Sequence, residues 1–354
     1  MLNLCCLFGG ESTEYDVSLH SVTSVIENAD PEQYNLVLVG ITREGKWYLY
    51  DGDTSAIAKD EWWKDTAHIH PAMISPSKGD RCLLVLDGEG YRKLPLDVVF
   101  PVMHGAHCED GTLQGLLELS GIPFVGPDCR SSAICMDKFT TKAVLNNFKI
   151  PQAKVEFVTR RELANEFDDV LARVSALGYP VFVKPSSTGS SIGVSKVRTP
   201  DALRTAIENA AQFDDVVLVE EFIDGREIEV AVMGNESPIA SVCGEIDPGS
   251  DFYDYETKYH NDTASYYIPA RLSDEASDAI RATACEIYRR LGCSGLSRVD
   301  FFYTADGRYI FNEINTLPGF TSISMYPKLF MAGGMSYAEV IHSLISLALA
   351  KNAK

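Results

Sequence analysis

Apolar residues cluster in short runs along the first third of the chain, and helical spacing separates those runs. Leu2–Phe8 is almost continuously apolar and closes on Gly9-Gly10, which predicts a buried strand. Val17–Ala29 carries helical periodicity after a polar turn. Tyr34–Thr42, Lys46–Tyr50, Arg81–Leu86, Tyr91–Leu94 and Asp97–Val102 predict strands, and residues 51–80 predict nothing regular. Thr112–Ser120 predicts a helix ended by Gly121, and Pro123–Val125 a short strand. Strands alternating with helices predict a parallel, doubly wound α/β sheet. The pattern changes after Gly126-Pro127. Helices are expected at Met136–Asn147, Arg161–Leu177 and Pro200–Ala211, with strands at Ala153–Phe157, Val181–Lys184, Val194–Lys196 and Val216–Glu220. The last third opens with strands Glu227–Met233 and Ala240–Glu245. It ends with helix Ser273–Leu291, a hairpin over Ser297–Asn315 and helix Ser336–Ala350. Three units follow, 1–126, 127–223 and 224–354, the latter two of α+β character.

Composition narrows the function classes. The chain has 354 residues, 45% apolar, with 31 Lys and Arg against 50 Asp and Glu, a net charge of −19. Such a surface repels phosphate backbones and anionic lipid, which argues against nucleic-acid or membrane partners. No stretch reaches the roughly 18 apolar residues of a membrane span, and the apolar start is too short for a signal peptide. Nine cysteines, an odd number with no C-x-x-C pair, predict reduced thiols in a cytoplasm.

Four segments carry candidate chemistry. In the hairpin, Asp306-Gly307 predicts a two-residue type I′ loop. Asp300 then faces Glu313, and Arg298 faces Asn315, all four on one face. Like charges about 4.5–5.5 Å apart destabilise a sheet. Either a hard cation such as Mg²⁺ joins them or the hairpin is exposed and solvated. Val183–Gly193 (VKPSSTGSSIG) sets glycines and hydroxyls beside Lys184; it is an anion cradle or a flexible turn, and matches neither the P-loop nor the Rossmann fingerprint. Val216–Ile228 runs a buried strand into acids and apolar residues, a wall for a flat base with Glu227 for a ribose hydroxyl, or a plain strand and turn. Pro248–Asp262 holds four aromatics without a period and reads as a lid carrying Lys258 and Tyr259, or as an ordered surface loop. Near the N-terminus, Glu14 follows a strand and opens a helix, where it either holds an ammonium group or complements the helix terminus. His104, also after a strand, is a ligand contact or a satisfied loop histidine.

Together these segments resemble the D-alanine–D-alanine ligases of the ATP-grasp superfamily over nearly the whole chain. The resemblance rests on Gly9–Ser18 (GGESTEYDVS), His104-Gly105 with Glu109–Gly115 (EDGTLQG), Met136–Lys138 (MDK), Lys184–Gly193, Phe252–Tyr259 (FYDYETKY) and Phe311–Ser322 (FNEINTLPGFTS). It implies a three-domain ATP-grasp fold: an N-terminal α/β substrate domain, a central subdomain, and a C-terminal metal-bearing domain. It implies phosphorylation of one D-alanine carboxylate by ATP and attack by the amine of a second, with two Mg²⁺ ions that Mn²⁺ can replace. D-alanine and ATP are the expected partners, with a homodimer as the assembly.

Residue by residue, the resemblance implies that Glu14 binds the first ammonium, linked through Ser190 and Tyr259. Val17, His104 and Met325 would line the substrate site. Lys138, Lys184 and Ser191 would contact ATP phosphates, and Lys258 the transferring one. Glu220, Glu221, Phe222 and Ile223 would hold adenine, with Phe302 on the nucleotide and Glu227 on the ribose. Asp300, Glu313 and Asn315 would bind metal, Arg298 and the Gly319 N–H would stabilise the oxyanion, and Ser324 would hold the second carboxylate. The chain departs from the family pattern at Cys108 (Gly elsewhere), at Glu221 (Lys in many relatives) and in the longer segment 41–96, which is expected to have no catalytic role. Related D-alanine–D-serine ligases tend to place Arg where Met325 stands, and D-lactate ligases lack the Lys258-Tyr259 pair, so D-alanine is the expected second substrate. A D-alanine–D-serine or D-alanine–D-lactate ligase is the alternative, and a catalytically inactive nucleotide-binding protein a remote one.

Overall fold

A computed structural model describes residues 1–190, 192–247, 249 and 265–351. Three sheets fall in sequence order. The first contains β1 (Leu2–Gly9), β2 (Tyr34–Ile41), β3 (Trp47–Tyr50), β4 (Ile69–Ile74), β5 (Cys82–Asp87), β6 (Gly90–Pro95) and β7 (Val98–Pro101), in the order β6-β5-β4-β3-β2-β1-β7. Only β2, β1 and β7 run parallel, extended by a bridge from Val99 to Phe124. The rest is an antiparallel meander. The expected parallel sheet is therefore a mixed one. Residues 42–46 and 88–89 are too few for the crossover that a parallel neighbour requires, so they close hairpins. The meander also contains β4, inside the stretch read as irregular.

One face of this sheet is covered by α1 (Tyr15–Asn28) and by the C-terminal helix Tyr337–Lys351, in a core shared by Leu4, Phe8, Leu19 and Val22 with Val340, Ile341 and Leu344. The other face carries α2 (Thr112–Ser120) through Leu113 and Leu117. Two further helices, α3 (Cys129–Met136) and α4 (Lys138–Asn146), follow. Cys135, Leu145 and Ile150 enter the core of the C-terminal sheet, and Lys142 of α4 reaches Glu220 of the central one.

The central sheet, β10-β9-β11-β8, is antiparallel: β8 (Val155–Thr159), β9 (Val181–Pro185), β10 (Ser195–Val197) and β11 (Val216–Glu221). The helix expected over 161–177 is two, α5 (Arg160–Asn165) and α6 (Phe167–Ser175), because Glu166 leaves helical geometry at φ −135°. With α7 (Leu203–Ala210) they bury Val170, Val174, Leu203 and Ile207 on the sheet. The C-terminal sheet has the order β14-β13-β12-β15-β16, from β12 (Gly225–Gly234), β13 (Ile239–Asp247), β14 (Ser265–Tyr267), β15 (Gly295–Thr304) and β16 (Tyr309–Asn315). Helix α8 (Asp274–Arg290) covers one face through Ile280 and Ile287. Helix α9 (Met325–Ala332), which no periodicity announced, packs on β12 and β13, and α10 (Tyr337–Lys351) joins this sheet to the first through Met233 and Leu296.

Candidate active site

The hairpin pairs Asp300 with Glu313 and Arg298 with Asn315, as the sequence predicts, but by another route. Thr304 and Arg308 close the turn, so the loop has three residues with Gly307 at φ +84°. The register then shifts between Asp300 and Phe301, where the pairing of Phe301 with Phe311 leaves Asn312 as the extra residue of a bulge. The longer loop and the bulge offset one another at the carboxylates. Across β12, Glu229 pairs with Asp300 and Glu227 with Phe302, so acids from three adjacent strands gather on one face. The buried Arg298 lies among them: Nε and Nη2 donate to Asp300 at 2.8 and 2.7 Å, and Glu229 lies 3.2 Å away. Asn315 Nδ2 donates to Asp300 at 2.9 Å. Lys138 Nζ is 3.6 Å from Glu313.

Two cavities flank this face. The first, about 540 Å³, lies between the central and C-terminal sheets. Lys138, Lys184, Glu220, Glu221, Phe222, Ile223, Glu227, Phe302, Asp300 and Glu313 all line it. Phe222 is tilted against Phe182, and Lys196 Nζ sits 4.1 Å over the Phe222 ring, which gives an apolar slot with a cationic rim. Glu221 Oε1 accepts from the Lys154 N–H at 2.9 Å and the Glu221 N–H donates to the Lys154 carbonyl, so Glu221 braces the start of β8. Glu220 differs from expectation. It is buried, with Lys142 Nζ 2.7 Å from one oxygen and Lys184 Nζ 2.6 Å from the other. Burial would raise its carboxyl, but the two lysines hold it down at about 2. Its side chain anchors Lys184 while lining the cavity. Lys138 Nζ donates to the Thr188 carbonyl at 2.8 Å, pinning the Gly/Ser loop to the start of α4. Asp137 caps α4 through the Phe139 N–H and accepts from Ser186 Oγ.

The second cavity, about 530 Å³, lies between the N-terminal domain and the segment after β16. It is lined by Glu14, Val17, His104, Arg298, Asn315, Gly319, Ser324 and Met325. A pocket of about 40 Å³, bordered by Glu14, Lys138, Ser190, Glu313 and Asn315, lies where the two meet. Ser190 is held at φ +50°, and its buried hydroxyl has no hydrogen-bond partner among the described residues. Glu14 lies against the same loop: a Cβ on Gly189 would stand 3.5 Å from its carboxylate. Ser324 Oγ accepts from the Thr321 N–H at 3.0 Å at the start of α9. Met325 is buried, with its Cε packed over Gly244.

His104 is a buried bridge: Nδ1 donates to the Leu317 carbonyl at 2.8 Å, and Nε2 lies 3.2 Å from Ser21 Oγ. Glu109 takes the N–H of Gly105 and of Leu317 on its two oxygens. Burial and the nearby Glu14 charge push its carboxyl up to about 7, against those N–H donors. The replacement at Cys108 is accommodated. The left-handed positions of this loop are Gly105, His107 and Gly111, whereas Cys108 is fully buried in the N-terminal core.

Ser191, Lys258, Tyr259 and nearly all of the expected lid Pro248–Asp262 lie outside the described residues. Every other expected residue borders one of the two cavities. Sequence reasoning missed Lys142, Glu229, Lys196 and a role for Glu109. Lys142 is four residues after Lys138 on one helix, and Glu229 two after Glu227 on one strand, so both shared a face with a named residue. Lys196 and Glu109 carried no such signal. Among the described residues no three His, Cys, Asp or Glu converge as a metal cage. The face offers two carboxylates and a carboxamide, oxygen donors suited to an ion that takes its remaining ligands from phosphate and water.

The model of the D-ala D-ala ligase N-terminus matches residues 3–127, and that of the D-ala D-ala ligase C-terminus residues 144–346. The D-alanine–D-alanine ligase of Clostridium acetobutylicum is 46% identical over 98% of this chain and 97% of its own length. That of Acetivibrio thermocellus is 45% identical over 97% and 94%. Among solved structures, the VanG D-Ala:D-Ser ligase from Enterococcus faecalis superposes with TM-score 0.90 at 41% identity, covering 98% of this chain and 99% of that one. The D-alanine-D-alanine ligase from Coxiella burnetii superposes with TM-score 0.85 at 35% identity, covering 99% and 94%.

Proposed function

The chain belongs to the D-alanine–D-alanine ligase family, and on that premise we propose that it joins two D-alanines to D-alanyl-D-alanine at the expense of ATP, in the cytoplasm, as a step toward peptidoglycan. ATP occupies the cavity between the central and C-terminal sheets, its base in the slot of Phe182 and Phe222 and its ribose on Glu227. Lys138 and Lys184 receive its phosphates. Two Mg²⁺ ions, held by Asp300, Glu313 and Asn315, would neutralise charge on the β- and γ-phosphates.

The first D-alanine binds with its ammonium on Glu14 and its carboxylate toward the junction. That carboxylate takes the γ-phosphoryl group, and ADP is released from the bond. The amine of the second D-alanine, whose own carboxylate rests on Ser324, attacks the acyl phosphate. Arg298 and the Gly319 N–H hold the oxyanion, and inorganic phosphate and a proton leave as the amide forms. Glu229 and Asp300 keep Arg298 in place, so this donor is oriented before charge develops.

The observation that carries this reading is the junction. Two cavities, of about 540 and 530 Å³, share Arg298, and meet where Lys138, Ser190, Glu14 and Glu313 converge. Nine free cysteines fit a reducing compartment. The test is phosphate release by the purified protein with Mg²⁺-ATP and D-alanine, with dipeptide measured alongside. Phosphate and dipeptide should appear in equal amounts. No dipeptide would reject the reading, and faster turnover with added D-serine would move the second substrate to D-serine, against the apolar Met325.

A further inference from the structure

We infer that Glu109 is a positioning residue that clamps the Leu317–Gly319 segment onto the N-terminal domain and so sets the direction of the Gly319 N–H. The inference rests on the ligase reading, which gives that N–H its oxyanion role. Glu109 is 9% exposed, and its two oxygens accept from the N–H of Gly105 at 2.9 Å and of Leu317 at 2.8 Å. The Leu317 carbonyl is taken by His104 Nδ1 at 2.8 Å. On the far side of Gly319, the Phe320 N–H donates to Ser21 Oγ at 3.2 Å. Gly319 therefore lies between two anchors, both in the first domain, although it follows directly on the metal-bearing strand of the third. With both oxygens engaged by backbone donors, the Glu109 carboxylate orients the segment. A carboxylate is needed because both partners donate. The amide of a glutamine would face one N–H with its own NH₂, whichever way it turned.

The experiment compares wild type with Glu109→Gln by amide hydrogen exchange and by kinetics. Exchange in the Thr316–Thr321 segment should accelerate by about tenfold or more, with the central sheet unchanged. The kcat for dipeptide should fall by about 10- to 100-fold, since displacing a reacting group by ~1 Å costs on the order of 100-fold. The dissociation constant for Mg²⁺-ATP should stay within about twofold, because Glu109 does not line that cavity. Ser21→Ala, which frees the Phe320 N–H without altering charge, should act in the same direction more weakly, and carries the measurement if the Glu109 variant does not fold. Unchanged exchange in the segment, unchanged kcat, or loosening throughout the chain with loss of ATP binding would each overturn the clamp. A wild type that makes no dipeptide would remove the ligase reading, while the exchange comparison would still decide whether Glu109 holds this segment.

Discussion

Glu220 is a carboxylate taken out of water and given a lysine on each oxygen. Its burial is tolerable only because both partners are in place, and removing its charge strands two ammonium groups. Glu220→Gln should therefore cost about 3–5 kcal/mol, as breaking a buried pair does, measured by urea denaturation at pH 7. The same residue sets an acid limit. Its folded carboxyl titrates at about 2, below the ordinary 4.5, so its contribution is complete above about pH 4.5 and is lost as pH falls toward 2. Denaturation midpoints at pH 7 and pH 3.5 should differ less in Glu220→Gln than in wild type. Glu313 behaves oppositely. It is partly exposed, faces Asp300, and is expected to work only when metal and nucleotide are bound. Glu313→Gln relieves repulsion from Asp300 and at the same time gives up the attraction of Lys138, 3.6 Å away, so the melting temperature of the ligand-free protein should change little. Dipeptide synthesis should fall at least ~100-fold. Near-normal synthesis in that variant would remove Glu313 from the metal site.

At the scale of the element, the hairpin β15–β16 shows two irregularities that correct one another. Reading Asp306-Gly307 as a two-residue loop matched the pairs of Asp300 with Glu313 and Arg298 with Asn315, yet the loop has three residues and Asn312 bulges to restore the register. Side-chain alternation makes any uncorrected single slip costly, because each residue beyond it moves to the other face. Inserting one alanine between Asn312 and Glu313 should leave every proposed ligand in the sequence and still abolish dipeptide synthesis, because Glu313 and Asn315 then lose their places opposite Asp300 and Arg298, with strand content by circular dichroism retained. Gly307, at φ +84°, has a different role: it lies at the exposed turn, away from both cavities. Gly307→Ala should destabilise by about 1–2 kcal/mol and leave kcat intact. The bulge was not legible because Asn312 has no local signature. It arises from the fit of the strands to their neighbours, and the isolated bridge of Phe311 to Gln152 holds the bulged strand from outside.

Across the whole molecule, the sheets do not have equally private cores. The central sheet has its own, whereas the N-terminal sheet borrows α10 from the far end of the chain, and that helix also seals the back of the C-terminal sheet. Val340, Ile341, Leu344 and Ile345 are buried there, each worth about 1.5–3 kcal/mol, together comparable with the ~5–15 kcal/mol that stabilises a typical domain. Truncation before Tyr337 should unfold the first and third domains together. Amides of β9 and β11 should keep their protection from hydrogen exchange. Loss of protection in all three sheets at once would show the central core to be dependent as well.

Much of this was present in local order. Alternation placed Arg298, Asp300, Glu313 and Asn315 on one face, glycines and hydroxyls marked the loop beside Lys184, and strand–helix alternation gave the class of the first domain. Those are properties of neighbours along the chain, where a period of 2 or 3.6 is enough. The tertiary structure alone decided the mixed N-terminal sheet, the lysine pair on Glu220, and the meeting of Glu14, Ser190 and Glu313, residues roughly 180 and 120 positions apart. It also decided that His104 and Glu109 hold Leu317. Such contacts depend on which surfaces exclude water together, and no period along the chain records that.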